Sequence, residues 1–188
     1  DRNYNKLINN QTNYYAVINP TSSATEEILP AVTDKDEFYS QLVYGSPFVC
    51  QVNCSEFESD DITVFEIPER YGDNQLAQHI IGYVQDGKGV SGIEAAYDDF
   101  LRSNVQKNTV TYSIDGQGTV LQGLNKEIEA DDEMTAGVVL TIDKYIQAIC
   151  ELVGKKIEKG AIVVMDIRTG DILGMASFPS YSVENLEE

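Results

Sequence analysis

His79, the only histidine of the 188-residue chain, lies in LAQHIIGYVQDGKGVSGIEAAYDDFL, Leu76 to Leu101, beside Gly82, Gly87, Lys88 and an acidic segment. As a general base it would need a nucleophile and an orienting acid, and no Ser or Cys occupies an elbow such as G-x-S-x-G. It reads as a structural residue at a helix boundary. Gly82, Gly87 and Lys88 satisfy G-x4-G-K, but Gly89 stands where a phosphate loop needs Ser or Thr for magnesium, and the residues before it have helical spacing. The carboxylate pairs Asp60-Asp61, Asp98-Asp99 and Asp131-Asp132 are adjacent, so their side chains point apart in a helix or strand and cannot converge on one bond. They read as solvated surface. Cys50, Cys54 and Cys150 give one C-x3-C pair with no histidine near it, too few ligands for zinc. Free or partly paired thiols are the expectation, and no catalytic, metal-binding or cofactor-binding residue emerges.

The elements that carry these residues can be read from apolar spacing. Asp73 is a candidate N-cap for a helix through Leu76, Ala77, Ile80, Ile81 and Val84. Ser91 and Glu94 form an S-x-x-E capping box before the stripe Ile93, Ala96, Tyr97, Phe100 and Leu101. The expected unit is a helix–turn–helix joint with its glycines in the turn. Tyr14 to Ile18 reads as a strand, and a helix follows Asp34 or Asp36 and stops at Gly45. PFVCQVNC and DITVFEIP read as short strands, and NTVTYSID and GTVLQGL as a hairpin around Gly116-Gln117-Gly118. Asn125 to Thr135 is acidic and weakly patterned.

A domain boundary is expected near Gly137, dividing 1–137 from 138–188. Beyond it Ile142, Ile146, Ile149 and Val153 share one face of a helix over Ile142 to Ile157, with Thr141 or Asp143 as N-cap. The apolar runs Ala161 to Ile167 and Ile172 to Ser177, turning at Thr169-Gly170-Asp171, imply strands covered on both faces. The class is α+β, in two unequal parts.

With 42% hydrophobic residues the chain can build cores. Its formal charge of −18 repels nucleic acid and anionic lipid, so nucleic acid is excluded as a partner. No window of ~20 apolar residues and no signal peptide is visible, and any such segment is expected outside this chain.

Together, DRN at the start, ERYGDNQLAQHIIGYV, GVSGIEAAYDDFL, LTIDKYIQ and GAIVVMDIRTGDILGMASFPSY resemble, in order and spacing, the class B penicillin-binding proteins, the D,D-transpeptidases of bacterial cell-wall synthesis. The sporulation and elongation branches look most similar. The resemblance implies that Asp1-Arg2 follow a membrane anchor and open an elongated N-terminal pedestal, or dimerisation domain, of short strands and helices. Arg70-Tyr71 and Gly89 to Glu94 would be its next motifs, and the helix and hairpin after Gly137 would begin the transpeptidase domain. Tyr4, Gly72 and Ser103 depart from the family pattern, which has Gly, often Pro, and often Gly there. Gln51 to Asp61 is also unusual. S-x-x-K, S-x-N and K-T-G, which the family's chemistry needs, do not occur. Arg168-Thr169-Gly170 is no substitute, because it falls in the early hairpin.

The resemblance therefore implies a catalytically silent region that positions a serine transpeptidase on the extracytoplasmic face of the bacterial membrane. Its expected partners are a polytopic cell-wall glycosyltransferase and division, elongation or sporulation proteins, with self-association possible. The alternatives are part of an intact serine acyl-transferase, or an unrelated extracellular binding module. The candidate structural and interaction residues are Asp1, Arg2, Arg70, Gly82, Gly92 and Glu94. Arg70, Glu94 and Arg2 are expected to share one ion-pair network that ties the chain start to the joint.

Overall fold

The computed structural model describes residues 1–72, 75–105, 107–116, 119–121, 126–130 and 136–181. In chain order the elements are β1 (Gln11–Ile18), α1 (Ser22–Ile28), α2 (Lys35–Leu42), β2 (Phe48–Val52), β3 (Ile62–Glu69), α3 (Gln78–Ile81), β4 (Val84–Gln85) and β5 (Lys88–Gly89). There follow α4 (Gly92–Ala96), α5 (Asp98–Ser103), β6 (Asn108–Thr111), β7 (Glu127–Ala130), α6 (Lys144–Gly154), β8 (Gly160–Met165) and β9 (Ile172–Phe178). The class is α+β. No helix of the described residues is long and apolar enough to cross a membrane.

Two compact units form, neither continuous in sequence. One gathers Asp1–Asn10, Arg70–Val105 and Met134–Glu188, the other Gln11–Glu69 and Gln106–Glu133. Contacts therefore do not follow the division expected at Gly137.

In the second of these units β1 is the centre of an antiparallel sheet ordered β2-β1-β3, with Ala16 opposite both Cys50 and Val64. Alternation along β1 turns Ala16 and Ile18 into the core, where they meet Ile28, Phe38, Val52 and Ile62. Asp34 caps α2 by accepting the Glu37 N–H at 2.9 Å, and Gly45 follows in the left-handed region, as the sequence implied. Helix α1, which the sequence reading passed over, is capped by Thr21 and buries Ala24 and Ile28. The expected hairpin closes at its tip by an Ile114–Val120 bridge, but β6 pairs with β7, which lies in the acidic stretch read as weakly patterned. Its outward carboxylates hid a short strand from the periodicity. The Gln117-Gly118 turn and Asp131-Asp132 lie outside the described residues.

In the first-named unit, Asp143 caps α6 by accepting the Tyr145 and Ile146 N–H groups. The face of α6 turned to the hairpin differs from the expected one. Gln147, Cys150 and Gly154 are buried, whereas Ile149 and Val153 are 60% and 54% exposed. Small residues win this face because the hairpin comes so close: a Cβ on Gly154 would lie 1.9 Å from the Phe178 ring. Gln147 is fully buried and replaces a neighbouring strand for Met175, donating to its carbonyl and accepting from its N–H, both at 2.8 Å. Strands β8 and β9 pair antiparallel, with Val163 opposite Met175, and turn at Gly170. Among the described residues they are not covered on both faces, since Val163 and Met165 are more than half exposed.

Candidate functional site

The segment from Arg70 to Ser103 holds most of the residues singled out by the sequence. Its helix–turn–helix reading is corrected. Helix α3 is a single turn, the Asp73 cap lies outside the described residues, and Ala77 in the left-handed region precedes the helix without a side-chain cap. Between α3 and α4 runs a miniature hairpin, β4 to β5, whose central residues Asp86 and Gly87 both have positive φ. Two successive positive-φ residues match the twist of paired strands, so Asp-Gly selected a hairpin here. Gly87 and the exposed Lys88 thus form no phosphate cradle.

Gly82 and Gly92 let the two ends of this connection touch backbone to backbone. A Cβ on Gly82 would fall 2.0 Å from the Ser91 carbonyl oxygen, and one on Gly92 would fall 2.4 Å from that of Ile80. Both also have positive φ, so glycine is required twice over.

That close approach sets Glu94 beneath Arg70. The guanidinium grips the carboxylate at both oxygens, Nε to Oε1 at 2.9 Å and Nη2 to Oε2 at 2.5 Å, and the Tyr71 hydroxyl adds a third bond to Oε1 at 3.0 Å. Glu94 is 2% exposed, and these three donors stand in for the water its carboxylate has lost. For Arg70, burial favours the neutral form, but the Glu94 hydrogen bond and charge outweigh it and hold the guanidinium above its ordinary range. The capping box does not form: Ser91 makes no cap bond, and its hydroxyl is buried without a partner. The ion pair took the glutamate. Tyr71, adjacent to Arg70, is the member that sequence reasoning did not assign.

Asp1 and Arg2 stand elsewhere. The Asp1 carboxylate accepts the Asn3 and Asn5 N–H groups and, across the unit, that of Lys144 at 3.1 Å. The Arg2 N–H bonds the Ile142 carbonyl at 2.8 Å, and its guanidinium faces Asp171 at 3.9 Å. The single network expected for Arg2, Arg70 and Glu94 is therefore two separate ones. The chain start joins the N-terminal end of α6 and the β8–β9 turn, because the Leu7, Ala77, Ile81 and Ile142 core gathers those segments.

Two of the acidic pairs are not merely solvated. Asp98 accepts the Gly89 N–H at 2.8 Å and pairs with Arg102, while Asp61 accepts from Asn19 and Thr21 at 2.9 Å each. Lys88, Tyr97, Asp99 and Phe100 line a shallow cavity of about 490 Å3 that no Ser, Cys or His borders. His79 is exposed and meets the Tyr181 ring edge-on. Cys50, Cys54 and Cys150 are free thiols, and among the described residues no group of three or more His, Cys, Asp or Glu could hold a metal ion.

No family model matches the chain. It is 28% identical over 123 residues to the peptidoglycan D,D-transpeptidase FtsI of Escherichia coli strain K12, across 62% of this chain and 20% of that protein. It is 31% identical over 123 residues to the probable peptidoglycan D,D-transpeptidase PenA of Neisseria meningitidis, across 62% and 21%. The chain thus spans about a fifth of the length of these relatives. Its fold matches that of the penicillin-binding protein PBP2 from Helicobacter pylori with a TM-score of 0.51 at 18% identity, over 98% of this chain and 42% of that one. These sequence matches, with the fold in agreement, support a class B penicillin-binding protein.

Proposed function

We propose that the chain is a non-catalytic, N-terminal region that positions a serine D,D-transpeptidase for peptidoglycan cross-linking. The observation that carries this reading is the fastening of three separate segments into one unit. Asp1 and Arg2 bond residues 142–144 and Ala77 bonds Glu151, while Arg70 clasps Glu94 within the middle segment. Such a unit holds its segments in one fixed arrangement, which is what positioning requires. The similarity to these transpeptidases supports the extracytoplasmic side of a bacterial membrane as its place. A polytopic glycosyltransferase and the division, elongation or sporulation machinery would be its partners, and the half-exposed Tyr97 and Phe100 offer them apolar area.

The test is intact-mass spectrometry of this chain after incubation with a β-lactam. No covalent adduct is expected, because an acyl-enzyme needs the serine of an S-x-x-K sequence. A stoichiometric adduct would overturn the non-catalytic reading.

A further inference from the structure

We infer that Tyr181 is a latch, whose docking on α3 orders that helix and, through it, seats α4 and the Arg70–Glu94 clasp. The inference rests on the positioning reading above and gives it a mechanical link. Helix α3 has four residues, too few to persist alone, and its N-cap, Ala77, offers no side-chain acceptor. Its N-terminal end is held from outside. The Ala77 N–H donates to Glu151 Oε1 at 2.7 Å, and the Gln78 carbonyl accepts the Tyr181 hydroxyl at 3.0 Å. The Tyr181 ring meets His79 edge-on at 4.8 Å and Tyr83 at 6.4 Å, so one side chain spans from the first turn of the helix to the residue after its C-cap. Glu151 is itself fixed by Gln147, the residue that binds Met175 in β9.

From α3 the coupling passes to α4 without an intervening side chain. The carbonyls of Ile80 and Ile81 abut Gly92, and Gly82 abuts Ser91. Close-packed backbone has no soft side chain to absorb a displacement, so a shift of α3 moves the start of α4 and with it Glu94. By linkage the effect is reciprocal: whatever strengthens the clasp also holds Tyr181.

Amide hydrogen exchange on this chain tests the latch, with Tyr181→Phe, Tyr181→Ala and the surface variant Tyr145→Ala. The reporters are the Ile80, Ile81 and Gly82 amides of α3 and the Ala95 and Tyr97 amides of α4, all hydrogen-bonded to backbone carbonyls. Tyr181→Ala should speed exchange at both sets by about tenfold and Tyr181→Phe by a smaller factor, with the β1–β3 sheet and the Tyr145→Ala protein unchanged. Acceleration confined to α3, acceleration spread equally through the β1–β3 sheet, or none at all would overturn the coupling. The measurement involves no β-lactam, so its failure is separate from a failure of the non-catalytic reading.

Discussion

Arg70 and Glu94 are 24 positions apart, yet their side chains meet through two hydrogen bonds, with Glu94 2% exposed and the Arg70 side chain 30% exposed. A buried carboxylate with three donors loses more from the removal of a partner than a surface pair does, because the remaining charge stays out of water. Glu94→Ala should therefore destabilise the chain by about 3 kcal/mol in urea denaturation, well above the ~1 kcal/mol of a lost helix cap. In a double-mutant cycle Arg70→Ala and Glu94→Ala should couple by more than about 1 kcal/mol. Coupling under about 0.5 kcal/mol would mean that the two residues act independently.

Tyr71 adds a pH dependence. Burial first, and the Glu94 charge second, push its hydroxyl from the ordinary 10.0 up to about 12. The folded chain thus holds the phenol proton more tightly than the unfolded one. The associated stability is full below pH 10 and is lost as pH rises from 10 through about 12. Cys50, pushed up to about 11 by burial and by Glu37, loses stability over an overlapping range. In Tyr71→Phe the fall of Tm above pH 10 should become shallower without vanishing. Equal slopes in the two proteins would exclude a buried Tyr71 proton.

The glycines of the joint should separate by what surrounds them. Gly92→Ala combines a positive φ with a Cβ 2.4 Å from the Ile80 oxygen, and should cost about 2–3 kcal/mol. Gly87→Ala has positive φ but open space, and should cost about 1 kcal/mol. Similar losses for the two in chemical denaturation would show that α3 and α4 do not need their close approach.

Local chemistry determined much of this protein from the sequence. Asp34 and Gly45 bound α2, the apolar run Tyr14 to Ile18 before Asn19-Pro20 marked β1, Asp143 capped α6, and Thr169-Gly170-Asp171 turned the last hairpin. These signals depend on neighbours within a few residues, so a single sequence carries them. Arg70 and Glu94 were also legible as candidate partners, since the short Gly82 to Gly92 connection can fold them toward one another. What the sequence left undecided were choices between competing partners. Glu94 could serve Ser91 or Arg70, Arg2 could join that pair or Asp171, and α6 could bury Ile149 and Val153 or Gln147 and Gly154. The first was decided by the approach of Gly82 to Ser91 and the third by that of Gly154 to the Phe178 ring. Where elements approach that nearly, small and hydrogen-bonding residues displace larger apolar ones from the contact, and helical periodicity cannot register that preference.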